Sequence, residues 1–278
     1  MDTLEVQITL NPKSPWNEIL VAELADLGFD SFVETDNGVT AYGDAGLDHQ
    51  SILEQTSLHN GFEGSYKIET KIIPHQNWNA QWEADFQPVY VENYASILAP
   101  FHDTDNAPGL IVTIQPKMSF GTGHHQTTWM MTKALFELDK IAPNVLDMGT
   151  GTGVLAIVAE KLGAEHVLAV DIEEWSAENA AENAQLNNCT KVESVWGDVD
   201  KIPSEPFGLI LANINKNVLK AQMPVYSRNL EPNGTLLLSG FFETDIKEME
   251  TFCREYDLIP VKRFQKDEWA AIQLRKSN

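Results

Sequence analysis

Val145-Leu-Asp-Met-Gly-Thr-Gly-Thr-Gly-Val154, followed at the end of the next apolar run by Ala169-Val-Asp171, decides how this chain folds. An apolar strand enters three alternate glycines, Gly149, Gly151 and Gly153. A helix opens at about Val154, with Ala156, Ile157, Ala159 and Leu162 on its buried side. Glycine lets the backbone turn sharply and lets a ligand lie against bare peptide. Asp171, 22 positions after Gly149, is placed to accept hydrogen bonds from a ribose diol. Together these features predict a nucleoside-cofactor pocket on a βαβ unit.

The glycine spacing narrows the nucleoside. A dinucleotide site spaces its glycines G-x-G-x-x-G before the helix. Here the third glycine falls one residue early, and Val154 fills the position such a site gives to glycine. D-x-G-x-G-x-G with a distant acid looks like the first two motifs of the Rossmann-like methyltransferases, which bind S-adenosylmethionine. That cofactor has no pyrophosphate for the helix N-terminus; its carboxylate and ammonium lie near the loop and its ribose reaches the acid. A glycine-rich turn alone is only a turn, but here the strand, the helix and Asp171 accompany it.

Outward from this motif, the chain beyond about residue 101 alternates strands and helices. Strands are expected at Leu110–Ile114, Val145–Leu146, His166–Val170, Val192–Trp196, Leu209–Ala212, Thr235–Ser239, Leu258–Arg263 and Trp269–Leu274. Helices are expected at Glu174–Leu186, Lys216–Leu230 and Thr244–Tyr256. Such alternation makes a mostly parallel, doubly wound sheet. The last two strands have no helix between them, the usual antiparallel ending of a methyltransferase sheet.

The first 75 residues read as β-α-β-β-α-β. Leu4, Val6, Ile8 and Leu10 alternate as a half-buried strand. Ser14-Pro15 supplies an N-cap and a first-turn proline for a helix that Gly28 ends. Ser31–Thr35 and Val39–Tyr42 flank Asp36-Asn-Gly38, a hairpin turn. Leu47–Leu58 forms a second helix and Tyr66–Ile73 the closing strand. This is the order of the ferredoxin-like split βαβ unit. Residues 76–100 form a linker helix whose stripe is Trp78, Trp82 and Phe86, ended by Pro88. The expected division is residues 1–75, 76–100 and 101–278.

Two further constellations converge on the glycine loop. Phe120-Gly-Thr-Gly-His-His-Gln-Thr-Thr128 leads into a helix, and its amides and hydroxyls suit a carboxylate. Thr127 and Thr128 serve equally well as helix caps. His124 and His125 are adjacent, point different ways on a loop and have no third ligand nearby, so no metal is expected. Leu209-Ile-Leu-Ala-Asn-Ile-Asn215 is an apolar strand that ends at Asn213, where doubly wound folds bind their ligands. The Asn213 amide oxygen can accept a hydrogen bond from an amine and aim its lone pair; otherwise Asn213 is a helix N-cap.

Net charge is −22 over 278 residues, and it is uneven: residues 1–120 hold 18 Asp and Glu against 4 Lys. An acidic surface repels phosphate backbones and attracts basic partners. Acidity also simply keeps a protein soluble; the bias argues against nucleic acid and permits a lysine-rich protein substrate. No apolar run approaches a membrane span, and the N-terminus lacks the pattern of a signal peptide. Two cysteines, Cys189 and Cys253, without metal-ligand spacing suggest a reducing, cytoplasmic location.

Phe120-Gly-Thr-Gly-x-His-x-Thr-Thr128, Asp147-Met-Gly-Thr-Gly-Thr-Gly153, Val170-Asp-Ile172 and Ala212-Asn-Ile214, with Trp78-x-x-x-Trp82 and Phe86-x-Pro88, closely resemble the methyltransferases of large-subunit ribosomal protein eleven. The resemblance covers roughly residues 76–275; the first 75 match in domain order only. It implies a bacterial, cytoplasmic enzyme. Such an enzyme uses S-adenosylmethionine to methylate lysine side chains and an N-terminal amine of a basic protein at the ribosomal stalk base. The small N-terminal domain would hold that substrate, and a mobile linker would let the catalytic domain reach several amines. Cofactor contacts carry over to Thr128, Gly149, Asp171 and Asn213, with Gly151 in the same loop and Phe120 in the motif covering the methionine end. Asp198, after the strand ending at Trp196, is expected at the adenine from the general methyltransferase pattern. Asn213 is the expected catalytic residue. It lacks the following Pro-Pro-Tyr of enzymes that stack a planar target, which suits a flexible lysine. Rival readings are an amine methyltransferase for another protein or a small molecule, and a non-catalytic cofactor-binding ribosome-assembly module.

Overall fold

In the computed structural model, which describes residues 2–48, 54–74, 86–117 and 120–278, the first strand buries every second residue. Strand β1 (Thr3–Asn11) is followed by α1 (Trp16–Asp26), β2 (Phe29–Thr35), β3 (Gly38–Asp44) and β4 (Ser65–Ile73). The sheet order is β2-β3-β1-β4 with every neighbour antiparallel, the ferredoxin-like arrangement. Leu4, Val6, Ile8 and Leu10 face Leu20 and Leu24 of α1 in one core. Each such burial is worth about 1.5–3 kcal/mol. One local expectation fails: Ser14 does not cap α1, which starts behind Pro15 without a side-chain cap. Much of the expected helix at Leu47–Leu58 lies outside the described residues. Within the described part, Ser57 donates from its N and its Oγ to Glu23 Oε2, both at 3.0 Å, fixing this stretch to α1.

The chain divides into two compact units, Met1–Asp85 and Phe86–Asn278. The stretch from 76 to 100 differs from its reading as a helical linker. Residues 75–85, with Trp78 and Trp82, lie outside the described set, whereas β5 (Val89–Val91) and β6 (Ala95–Leu98) are strands. Val91, Ala95 and Ile97 are buried in the core of the second unit. With β7 (Leu110–Thr113) they form a separate three-stranded sheet, β5-β6-β7. The strand at Leu110 is therefore not part of the large sheet. It pairs with β6, and the side chain of Asn187 bonds both the N and the O of Thr113 at its end.

The remaining elements are α2 (Gln126–Phe136), β8 (Asn144–Met148), α3 (Val154–Lys161), β9 (His166–Asp171), α4 (Glu174–Leu186), β10 (Val192–Trp196), β11 (Phe207–Asn213), α5 (Lys216–Asn229), β12 (Leu230–Phe242), α6 (Ile246–Arg254), β13 (Leu258–Lys266) and β14 (Trp269–Lys276). Their sheet runs β10-β9-β8-β11-β12-β14-β13. The first five strands in that order are mutually parallel, and β14 is antiparallel to both of its neighbours. This is the Rossmann-like methyltransferase sheet. Its central strands are apolar on both faces, as strands covered by helices on two sides must be. In β11, Leu209 and Leu211 join one core and Ile210 and Ala212 the other. Among the described residues no helix is long and apolar enough to cross a membrane.

Candidate functional site

The carboxyl ends of β8, β9 and β11 open onto a cavity of about 470 Å³, inside the size range of small-molecule sites. Phe120, Gly149, Gly151, Asp171 and Asn213 all line it. Five of the residues singled out from the sequence thus come together.

The amides of the glycine loop are already taken up by protein acceptors. Gly149 N and Thr150 N donate to Val170 O at 2.8 and 3.1 Å, Thr152 N to Phe120 O at 2.9 Å and Gly153 N to Thr150 O at 2.9 Å. Gly151 N donates to Asp171 Oδ2 at 2.8 Å. The glycines serve close approach instead. At Gly151 the backbone is left-handed, φ +57°, and a Cβ there would stand 2.2 Å from Phe120 O. A Cβ at Gly149, φ +69°, would stand 2.2 Å from Ile214 Cγ2. Beneath the loop, Asp147 is fully buried, and burial pushes its carboxyl up to about 7 against the Thr150 hydroxyl and Ala156 amide that stabilise its charge. Thr150 Oγ1 donates to its Oδ2 at 2.7 Å.

Asp171 Oδ1 accepts from Glu173 N at 3.0 Å. Two backbone amides thus fix the carboxylate, and each oxygen keeps a lone pair for a hydroxyl. Asn213 is not a helix cap; Asn215 takes that task, accepting from Asn217 N at 2.9 Å. Asn213 Nδ2 lies 3.4 Å from Thr128 Oγ1, and its Oδ1 is buried without a partner among the described residues. An unsatisfied buried acceptor costs about 1–3 kcal/mol, which a ligand's donor relieves.

Two expected residues stand elsewhere. Thr128 is fully buried behind Asn213 and does not line the cavity. Asp198 also stays out of the lining. Its Oδ1 accepts from Val199 N and from Gln222 Nε2, each at 2.7 Å, so its carboxylate caps a turn. Several lining residues escaped the sequence reading. Gly240, φ +99°, brings β12 so near that a Cβ would stand 2.1 Å from Ile214 O. Trp269 packs edge-on to His125 with ring centroids 4.6 Å apart, and His125 lies 5.1 Å from Phe120. Trp175 lines the cavity as well. A glycine within an apolar strand was the only signal for Gly240; Trp269 had none.

His125 is the titratable ring in the lining. Burial lowers its pKa from the usual histidine value, which favours the neutral ring. Its Nδ1 accepts from Thr127 N at 3.2 Å and caps α2. A backbone N–H can only donate, so the proton of the neutral ring sits on Nε2. His124 turns away, with Nε2 2.8 Å from Gln87 O.

The family model described as ribosomal protein L11 methyltransferase (PrmA) matches residues 16–277. The chain belongs to the ribosomal protein L11 methyltransferase family. It is 41% identical over 262 residues to the ribosomal protein L11 methyltransferase of Porphyromonas gingivalis, covering 92% of this chain and 89% of that protein. The Bacteroides fragilis protein of the same name is 35% identical over 263 residues, 92% of this chain and 93% of its own length. The crystal structure of ribosomal protein L11 methylase from Lactobacillus delbrueckii subsp. bulgaricus superposes with a TM-score of 0.63 at 26% identity, over 69% of this chain and all of that one.

Proposed function

We propose that this member of the L11 methyltransferase family transfers methyl groups from S-adenosylmethionine to lysine side chains and the N-terminal amine of ribosomal protein L11. The observation that carries the reading is the buried, unpartnered Asn213 Oδ1 at the carboxyl end of β11, in a cavity that also contains Asp171 and the glycine loop. Among the residues carried over from the resemblance, Gly149, Gly151, Asp171 and Asn213 fit the cofactor. Asp171 has lone pairs left for a ribose diol, the bare loop lets a ligand approach, and Phe120 and Trp269 supply an apolar wall. Thr128 acts from behind by holding Asn213, and Asp198 caps a turn through Oδ1 outside the cavity lining.

Bound there, S-adenosylmethionine supplies the methyl group on a sulfonium that is already electrophilic. The protein's own work is positioning and exclusion of water. Asn213 Oδ1 accepts a hydrogen bond from the neutral amine and orients its lone pair. A free lysine has a pKa near 10.4, and burial disfavours its cation. His125 is unsuited as a base, since its Nδ1 is already an acceptor and its Nε2 carries the proton; water takes the proton instead.

The acidic N-terminal residues 1–75 suit a basic protein, and net charge −22 disfavours a nucleic-acid substrate. We place the reaction in the cytoplasm, where the ribosome is. Incubation with S-adenosylmethionine labelled in the methyl group and total unmethylated ribosomes tests the substrate. Label in L11 supports the reading; label in RNA or in other proteins alone refutes it.

A further inference from the structure

Helix α4 and its C-cap residue turn three asparagines, Asn179, Asn183 and Asn187, into the interior at successive fourth positions, and all three are buried. Buried amides on one helix face are costly unless bonded. Asn183 is bonded to two different segments. Its Oδ1 accepts from Gln115 N at 2.8 Å, and its Nδ2 donates to Thr152 O at 2.9 Å and to Asn179 Oδ1 at 2.6 Å. Gln115 follows β7 on the way to Phe120. Thr152 belongs to the glycine loop and itself holds the Phe120 segment, through its N to Phe120 O at 2.9 Å and its Oγ1 to Gly121 O at 2.7 Å. The first turn of α4 contributes Trp175 and Ser176 to the cavity. Helix α4, the glycine loop and the backbone after β7 therefore meet at one buried amide. Asn187, one turn on, is different. It bonds Thr113 N at 2.9 Å and Thr113 O at 2.6 Å, and has no bond to the glycine loop.

We propose that Asn183 is a positioning residue that, together with Thr152, ties the glycine loop to the backbone on both sides of it, to Gln115 through Asn183 and to Phe120 through Thr152, so that a ligand on the loop is felt at both. A ligand packed on Gly151 bears on Thr152, whose carbonyl and amide both belong to this linkage. In a low-dielectric interior such a chain of hydrogen bonds acts as a unit. The coupling rests on the cofactor reading above, which binding of S-adenosylhomocysteine to the unaltered protein tests separately.

The test compares Asn183→Ala with Asn187→Ala by titration calorimetry against S-adenosylhomocysteine and by amide hydrogen exchange with and without it. Asn183→Ala is expected to raise Kd about tenfold, the loss of roughly one buried hydrogen-bonded link. In that variant the ligand still slows exchange in peptides covering 149–153 and 120–123, which Thr152 joins directly, but no longer in those covering 113–117. Asn187→Ala should keep Kd within about twofold of the unaltered protein and keep protection in all three. Equal changes of Kd in the two variants, or protection retained throughout in Asn183→Ala, would overturn the proposal. Thr152→Val, which leaves α4 intact and removes only the bond to Gly121 O, supplies an independent arm. Weaker binding with lost protection at 120–123 supports the coupling, and unchanged protection there overturns it.

Discussion

Replacing Gly151 with alanine separates close approach from mere backbone strain. At φ +57° an alanine costs about 1–2 kcal/mol on conformational grounds. Its Cβ would also stand 2.2 Å from Phe120 O, against a practical limit of 3.0 Å. The Phe120 segment must therefore retreat by at least ~0.8 Å. A shift of that size along the Thr152 N to Phe120 O bond, 2.9 Å long, takes it out of hydrogen-bonding range. The Thr152 Oγ1 bond to Gly121 O goes with it. Two such bonds are worth about 1–3 kcal/mol together, or roughly 5- to 150-fold in Kd for a ligand that needs the Phe120 segment in place. Gly163→Ala is the control, since Gly163 has φ +116° and open space around its missing Cβ. Thermal unfolding should show both variants destabilised. Calorimetry with S-adenosylhomocysteine should show weakened binding in Gly151→Ala alone. A Kd within twofold of the unaltered protein for Gly151→Ala would refute the account of the loop.

Two more outcomes follow from the site. Asn213→Ala should lower kcat by about 100-fold, the scale of losing an orienting group, while leaving the Kd of S-adenosylhomocysteine within a few fold; equal losses in both would refute the positioning role. Asp147→Asn should change the pH dependence of stability. Burial holds the folded-state pKa at about 7, above the unfolded carboxylate value of about 3.9. The folded chain therefore retains the proton longer, and this contribution is lost as pH rises from about 4 to about 7. Urea unfolding across that range should show the unaltered protein losing up to ~1.4 kcal/mol per pH unit relative to the variant, and parallel curves would count against it.

What could be read from the sequence was local. The strand, the three glycines and the helix after them lie within a few residues of each other, so the β8, loop and α3 unit follows from pattern. Asn213 was legible because an apolar strand ending in a polar residue marks the ligand edge of a doubly wound sheet. Its neighbour Thr128, 85 residues away, was placed near the pocket by the return of α2, but its burial behind Asn213 was not foreseeable. Trp269 reaches the cavity only because β14 inserts between β12 and β13, a matter of sheet order that periodicity does not encode. The same limit applies to β7, whose alternation said strand without saying which sheet. Ser14 and Asn213, both of a capping type and neither of them a cap, show that residue type is a weak guide to the residue that caps.

The most direct test of the central claim is the intact mass of purified, unmethylated L11 after incubation with this protein and S-adenosylmethionine, followed by peptide mapping. The account predicts methyl-sized increments on lysine side chains and the N-terminal amine, abolished by Asp171→Ala. No increment from an unaltered protein that still binds S-adenosylhomocysteine would contradict it.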